Sequence, residues 1–265
     1  MKMMRGLVIG TFTAIVVASL AAGTTAASDR FPAAGGDIVI TPIVHASVQF
    51  EYAGKVVLVD PWSFGGLPGA KPADLILISD DVGHHLDAKA IKKLRRPGAA
   101  VVMPATGKAQ VPDGIVLSNG ESIAAAGFQV ESIAAYDIKP GAPEHPKGEA
   151  NGYVVTLGGK RILLAGVTEC VPEIKALKNI DIAFLPMNIP PERMSPVEVA
   201  ECVKIINPSV VYVYHYDQDF ASNAAKTPRY AKWLPEGMTV ADSLQAFRDA
   251  LKGTKIDVRS GQWYP

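Results

Sequence analysis

The side chains best suited to chemistry follow one short apolar run, in the stretch LILISDDVGHHLD at Leu75–Asp87. This stretch begins with apolar residues and no polar break, which predicts a strand covered on both faces. Polar residues come directly after it: Asp80, Asp81, His84, His85 and Asp87. Carboxylates and imidazoles that emerge together at a strand end indicate a metal site or an acid–base site.

The two halves of the chain repeat the same order of elements. Each half begins with a hairpin, ASVQFEYAGKVVLVDP in the first and NGYVVTLGGKRILLAG in the second. An apolar strand follows in each half, at Ala73–Ser79 and Ile180–Pro186, and then a helix and another apolar strand, at Ala99–Pro104 and Pro208–Tyr216. This repeat predicts an α/β fold of two mixed β-sheets packed face to face, with helices outside.

Two of these strands should position the chemistry. We expect Leu75–Ser79 and Val210–Tyr214 to lie inside the two sheets, with their C-terminal ends at the same edge. The polar residues that follow each strand then meet at that edge. Farther along the chain, Val240–Leu251 has helical spacing and good helix formers, which predicts a terminal helix.

Composition limits the classes of protein and partner. The chain has 265 residues, of which 48% are hydrophobic, enough for one large α/β domain or two small ones. Its formal net charge is zero, so no electrostatic feature points to nucleic acid or to an anionic membrane surface. We therefore expect a small-molecule substrate and no nucleic-acid partner, and the oligomeric state stays open.

The N-terminal segment has the layout of an export signal. Lys2 and Arg5 precede an apolar run, Leu7–Leu20, which small residues follow. This layout predicts that residues 1–27 are a secretory signal peptide, with an uncleaved membrane anchor as the alternative. After cleavage, residues 28–265 should form a single periplasmic or secreted domain without a stable membrane anchor.

Two cysteines, Cys170 and Cys202, follow the predicted signal peptide. In an oxidising compartment they could form a disulfide, but sequence does not supply the geometry that a disulfide requires. Cys202 lies on a predicted helix among apolar neighbours, so a buried free thiol is the other interpretation. Both interpretations stay open at this point.

Short motifs run through the chain in a definite order: His45-Ala46-Ser47, Val59-Asp60-Pro61, the Asp/His loop, His145-Pro146-Lys147-Gly148, Gly152-Tyr153, Ala165-Gly166-Val167-Thr168, Leu185-Pro186-Met187-Asn188 and Tyr214-His215-Tyr216. Each motif alone is weak. Together they resemble the metallo-β-lactamase-fold hydrolases, in particular the subgroup similar to ascorbate-phosphate lactonase. The resemblance covers most of the chain from Asp37 to Tyr216. It implies an αββα sandwich of two mixed β-sheets flanked by helices, with a metal site at one edge between the sheets.

The chain departs from this family at several ligand positions. The family's loop reads Thr-His-x-His-x-Asp-His, and here its first His is Asp80, its second is Val82 and its Asp is His84, while the last His is kept as His85. The family's bridging Asp, in a Gly-Asp-Thr motif, is Val167 here. Because valine cannot bind a metal, a two-zinc site bridged by that carboxylate is not expected.

The resemblance still implies one metal site. The positions that bind the family's second metal hold His84, His85 and His215, and three imidazoles with an open fourth position form a known catalytic zinc arrangement. We expect one divalent metal ion, zinc, with manganese or iron as alternatives. Asp80 and His145 occupy positions of the family's other metal, where they could add a ligand, act as a general base or orient an imidazole.

Other polar residues have alternative interpretations. His45 is not a ligand in the family, so a structural hydrogen bond is expected for it. Asp80 has a second interpretation, as the cap of a helix that begins near Leu86. The family pattern gives Asp87 a supporting role behind the ligands, and Glu169 is expected on a surface loop.

Two functions follow from these expectations. The first is an exported metal-dependent hydrolase that acts on an ester, lactone, amide or phosphoester through a metal-bound hydroxide. The second is a catalytically inactive member of the fold that serves as an exported binding or scaffold protein. The substituted ligand positions favour the second function, whereas the new imidazole of His84 favours the first, which is the function predicted here.

Overall fold

The computed structural model describes residues 27–220, 226, 228–230, 232–234 and 236–264. Apart from Ala27, the predicted signal peptide lies outside these residues. Within the described part of the chain, no helix combines the length and apolar character needed to cross a membrane.

The first sheet is built by the N-terminal half of the described chain. Its strands lie in chain order, as β1 (Asp29–Ala33), β2 (Gly36–Val44), β3 (Ser47–Tyr52), β4 (Lys55–Val59), β5 (Ala73–Leu77), β6 (Arg95–Met103) and β7 (Ile115–Val116). Neighbouring strands from β1 to β4 are antiparallel, and those from β4 to β7 are parallel. The sheet is therefore mixed, as predicted.

The second sheet has the same plan. It consists of β8 (Ser122–Ala125), β9 (Phe128–Ala135), β10 (Ala150–Leu157), β11 (Lys160–Leu164), β12 (Ile182–Pro186), β13 (Val210–Tyr214) and β14 (Asp257–Arg259). Strands β8 to β11 are antiparallel, and β11 to β14 are parallel. The order of pairing repeats that of the first sheet, which the repeated hairpin–strand–helix–strand pattern predicted.

The two sheets pack face to face around one large apolar core. Phe50 on β3 meets Phe184 on β12, with ring centroids 5.7 Å apart. The packing accounts for the unbroken apolar run on β5. Leu75 belongs to the core between the sheets, and Ile76 belongs to a second apolar cluster outside the first sheet. Both faces of β5 are therefore buried, and an unbroken apolar run is what such a strand needs. The predicted sandwich of two mixed sheets is confirmed.

The helices lie outside the sheets. They are α1 (Ala88–Leu94), α2 (Pro172–Ala176), α3 (Pro196–Ile206) and α4 (Val240–Ala250), with 3₁₀ turns at Phe64–Gly66 and Ala105–Ala109. Helix α4 confirms the predicted terminal helix. It begins with a capping box in which Thr239 accepts a hydrogen bond from the backbone N–H of Asp242, while the Asp242 side chain accepts from the Thr239 N–H.

The structure gives the geometry of the two hairpin turns and the state of the two cysteines. Both hairpins turn through two residues with positive φ, Ala53 and Gly54 in the first and Gly158 and Gly159 in the second, which suits the twist of the paired strands.

Cys170 and Cys202 form a disulfide that joins the segment before α2 to α3. The alternative of a buried free thiol is therefore wrong.

Candidate metal centre

Four histidines converge at one edge of the sandwich. His45 follows β2, His84 and His85 lie between β5 and α1, and His215 follows β13. One ring nitrogen from each of the four lies within 4.8 Å of the others. The structure thus brings together the three predicted ligands, His84, His85 and His215, and adds His45 to them.

His85 and His215 make the closest approach in this group. Their Nε2 atoms are 3.1 Å apart and their rings are nearly parallel, at 11°. Two nitrogens that each lie about 2.0–2.1 Å from a zinc ion are separated by about 3–3.5 Å in tetrahedral geometry. The donor atoms of this pair therefore fit a single divalent metal ion, which the other two imidazoles surround at a slightly wider spacing.

Asp60 orients His85 from behind. The Oδ2 atom of Asp60 lies 2.8 Å from Nδ1 of His85, and both side chains are buried. Ser79 holds the carboxylate in place, with its backbone N–H donating to Oδ1 at 2.7 Å and its hydroxyl donating to Oδ2 at 2.5 Å. Since Nδ1–H is donated to the carboxylate, the lone pair of Nε2 is directed into the cluster. Sequence reasoning assigned Asp60 no role, although its motif at the end of β4 was the available signal.

The backbone is unusual at three residues of this site. His45 and His215 have φ of 56°, and Asp60 has φ of 43°. Left-handed backbone at residues other than glycine is uncommon and concentrates at functional sites. The N–H of His215 also donates to the carbonyl of His45 at 3.2 Å, which joins the edges of the two sheets.

His45 has a more central position than the sequence suggested. Its Nδ1 atom lies 3.3 Å from the hydroxyl of Tyr264, so the expected hydrogen bond has a partner. Its ring centroid is also only 3.8 Å from that of His215. A fourth imidazole is therefore available to a metal ion, in addition to the three that the resemblance implied.

The imidazoles of the cluster are held in the form that binds metals. Burial lowers the pKa of His45 and of His215 well below the ordinary value, and the neighbouring imidazoles lower both further. Burial, together with the nearby His85 and His145, lowers the pKa of His84 to about 3. These three rings are neutral at pH 7, and a neutral imidazole offers the lone pair that a metal requires.

His145 and Asp80 lie together beside the cluster. Nδ1 of His145 is 2.8 Å from Oδ2 of Asp137, and Nε2 is 3.7 Å from Oδ2 of Asp80. Burial disfavours the charged ring, but the hydrogen bond and charge of Asp137 and the charge of Asp80 outweigh it and raise the pKa of His145. Oδ2 of Asp80 is buried and has no hydrogen-bond partner among the described residues. A ring nitrogen with a raised pKa and a buried carboxylate oxygen thus face each other beside the cluster.

The alternative interpretation of Asp80 as a helix cap is wrong. Asp87, not Asp80, caps α1, because its Oδ1 accepts from the backbone N–H groups of Lys89 at 2.9 Å and Ala90 at 3.1 Å. Its Oδ2 accepts from the N–H of Ser63 at 2.9 Å. Asp87 thus begins a helix and holds a neighbouring loop, while Oδ1 of Asp80 accepts from the N–H of Asp81 at 2.6 Å and its Oδ2 faces His145.

Glu169 is not the surface residue that the sequence suggested. It is buried, and its Oε2 accepts from the backbone N–H groups of Ile138 and Lys139, both at 2.5 Å. A buried carboxylate with two backbone donors is a structural anchor. Nothing in the local sequence distinguishes it from an exposed loop glutamate, because its partners lie about thirty residues earlier.

Aromatic side chains border the cluster on the His84 side. Trp62 lies 6.0 Å from His84 and stacks on Phe64 at 4.9 Å, and Phe64 meets Phe220 at 5.0 Å, all between ring centroids. Phe64 is 41% exposed and Val82 is 40% exposed. Exposed apolar groups beside a polar cluster are typical of a small-molecule binding surface.

A family model and the curated relatives of this chain point to the same protein family. The family model described as beta-lactamase superfamily domain matches residues 39–215. A UPF0173 metal-dependent hydrolase from Thermococcus onnurineus is 31% identical over 188 residues, covering 65% of this chain and 82% of the relative. Another from Methanopyrus kandleri is 28% identical over 193 residues, covering 67% and 83% respectively.

A solved structure extends this similarity to the fold. A Parabacteroides distasonis protein described as a metal-dependent hydrolase is 31% identical, with a TM-score of 0.74, and the match covers 89% of this chain and 98% of that one. The metallo hydrolase Igni18 from Ignicoccus hospitalis shares the fold at a TM-score of 0.64 and 18% identity. The finer resemblance to ascorbate-phosphate lactonase stays a prediction.

Proposed function

This chain belongs to the beta-lactamase superfamily domain family, and from that premise we propose that it is a hydrolase with one divalent metal ion in its four-histidine cluster. The observation that carries the proposal is the convergence of four imidazole nitrogens within 4.8 Å. The names of its relatives, which are metal-dependent hydrolases, support the same activity. Zinc fits an all-imidazole set best, with manganese and iron as alternatives.

The chain's own residues divide the work. His84, His85 and His215 would hold the ion and leave one position for a water molecule, while His45 packs against His215 and Asp60 orients His85. A divalent ion held there supplies Lewis acidity and lowers the pKa of a water molecule to about 7. This contribution requires neutral imidazoles, which burial provides.

Proton transfer would fall to His145 and Asp80. The raised pKa of His145 favours the protonated ring, which can protonate a departing oxygen or nitrogen from Nε2. The Asp80 carboxylate, 3.7 Å from that Nε2, can accept a proton in return. Hydrolysis of an ester, a lactone, an amide or a phosphoester requires a proton donor for the leaving group. All four classes are therefore candidate substrates.

The proposed site of action is the periplasm or the cell exterior. The predicted signal peptide at residues 1–27 supports export. The Cys170–Cys202 disulfide supports it independently, because disulfides persist in oxidising compartments and are rare in the cytosol of most organisms.

An inactive binding or scaffold protein is the second candidate, and one observation favours it. Asp80, Val82 and Val167 stand at sequence positions that bind metal in the family. Val167 is buried and offers no carboxylate to an ion. A protein of this kind would keep the sandwich and lose the ion.

Metal analysis of the exported protein separates the two functions. We expect about one zinc ion per chain, and hydrolysis of a p-nitrophenyl ester, a lactone or a bis-p-nitrophenyl phosphate that stops on chelation and returns with zinc. A protein that purifies without metal and gains no thermal stability from zinc, manganese or iron would instead be the binding protein.

A further inference from the structure

Arg193 is a fully buried arginine that makes no contact with the histidine cluster among its described interactions. Its side chain is 0% exposed. Its guanidinium donates to four backbone carbonyls, those of Lys139, Gly141, Pro143 and Pro190, at 2.6–3.0 Å. A buried charge is costly unless its donors are satisfied, and here they are satisfied mainly by one segment.

That segment, Asp137–His145, is a closed loop that carries His145, and is called here the His145 loop. The N–H of Asp137 donates to the carbonyl of His145 at 3.0 Å. Oδ2 of Asp137 accepts from the backbone N–H of His145 at 2.9 Å and faces its Nδ1 at 2.8 Å. The position of the His145 ring therefore depends on this carboxylate, which also contributes most to raising its pKa.

Arg193 and Glu169 fasten the loop from inside. Nη1 of Arg193 lies 2.9 Å from Oδ2 of Asp137, and both side chains are 0% exposed. Glu169 binds the N–H groups of Ile138 and Lys139 and lies 3.9 Å from Nε of Arg193. One cation and two carboxylates thus replace the apolar core that a loop of this length lacks.

We propose that Arg193 is the positioning residue of the catalytic centre: it builds the His145 loop and, through Asp137, directs Nε2 of His145 toward Asp80. The proposal rests on the proposed function only in the use made of His145 as a proton donor. The planar fork of arginine meets several carbonyls and a carboxylate at once, and the single ammonium of lysine cannot repeat that pattern.

The test compares Arg193→Met and Arg193→Lys with Arg161→Met in the exported chain, as purified and after zinc loading. Arg161 is a matched control, because it pairs with Glu131 at 2.5 Å but lies on β11 and not on the His145 loop. Amide hydrogen exchange of residues 138–145 should speed up by at least about tenfold in Arg193→Met, by less in Arg193→Lys and not at all in Arg161→Met. Zinc content should be unchanged in all three.

The titration of the His145 ring, followed by NMR, separates positioning from simple stability. Asp137, Asp80, Arg193 and His84 are the charged or titratable groups that act on this ring. If Arg193 positions it, the ring leaves Asp137 in Arg193→Met and its pKa falls toward the ordinary 6.5. If the pKa stays or rises, the carboxylate has kept the ring without the guanidinium, and the proposal is overturned.

The remaining outcomes are also decisive. If Arg193→Met does not fold, Arg193→Lys carries the same measurements, and a wild-type exchange rate and pKa in that variant would overturn the proposal. Where an ester is hydrolysed, kcat should fall by about 10²-fold or more with KM little changed. A wild-type protein that hydrolyses nothing would end the proposed function, whereas the NMR and exchange results would still decide the role of Arg193.

Discussion

The Nε2 atoms of His85 and His215 lie 3.1 Å apart, although 130 residues separate the two histidines in the chain. His85 follows a strand of the first sheet, and His215 follows a strand of the second. Their approach therefore exists only when the two sheets are packed together. The candidate metal centre is a product of the sandwich, and its ligands can be removed without removing the core.

We expect His85→Ala and His215→Ala each to abolish zinc binding while the fold is retained. Each substitution removes one of the two closest donors, and the apolar core between the sheets contains neither ring. Metal content by mass spectrometry and far-UV circular dichroism check the two parts. His145→Ala is the control, since His145 lies outside the four-histidine cluster. Equal loss of zinc in that control would contradict this assignment of ligands.

The metal-free protein should lose stability as the pH falls below about 6.5. The folded-state pKa values of His45, His84 and His215 lie below 6.5, with His84 at about 3, so the unfolded chain binds more protons in this range. Each such histidine costs about 1.4 kcal/mol per pH unit. Urea unfolding of chelated protein at pH 7.5 and 5.5 measures the effect, and His84→Gln should reduce it.

His145 acts in the opposite direction between its folded-state pKa and about 6.5, and it adds no further change below that pH. Its pKa is raised in the folded state, so its stabilising contribution is complete below the unfolded value and is lost as the pH rises through the folded one. The decisive measurement uses His145→Ala, which lacks this opposing contribution: a free energy of unfolding that stays constant between pH 7.5 and 5.5 in that variant would show that the clustered imidazoles accept protons in the folded protein.

Val167→Asp should increase metal binding. Val167 is 3% exposed, and the resemblance in sequence aligns it with the family's bridging carboxylate. A buried carboxylate without a partner destabilises the metal-free protein, whereas a metal ion would compensate its charge. Isothermal titration with zinc should give higher affinity or a second equivalent. Val167→Asn is the matched control, and equal zinc binding by the Asp and Asn variants would refute the expectation.

Reduction of the Cys170–Cys202 disulfide should lower the free energy of unfolding by about 2–4 kcal/mol, because the bond closes a segment of the unfolded chain. The two cysteines are 32 residues apart. Chemical denaturation of the Cys170→Ser, Cys202→Ser double variant measures the loss. Reduced wild-type protein should have the same free energy of unfolding as the double variant. A variant as stable as the oxidised wild-type protein would show that the disulfide does not stabilise the fold.

The mature protein should begin near Ser28. Strand β1 starts at Asp29, which accepts a hydrogen bond from Tyr212 at 2.5 Å and lies 3.0 Å from Arg259. Cleavage before Ser28 would leave that strand and both contacts intact. Intact-mass measurement of exported protein checks the site, and a mass that still includes residues 1–27 would favour the uncleaved anchor.

The sequence by itself determined the architecture and the edge at which the chemistry lies. The apolar run at Leu75–Ile78 predicted a strand buried on both faces, and its residues alternate between two apolar clusters. Periodicity records which faces of an element are buried, and that information is local. The repeated order of elements predicted two similar sheets in which β5 and β13 end at the same edge, which is why His85 and His215 could be expected to meet.

Only the tertiary structure decided which side chains touch at that edge. His45 joins the cluster because the two sheet edges meet, with the His215 N–H bound to the His45 carbonyl. Asp60 orients His85 across a turn with left-handed backbone, and Arg193 reaches His145 through Asp137. Contacts between loops distant in sequence depend on strand-end geometry and on sheet packing, and neither leaves a periodic signal in the chain.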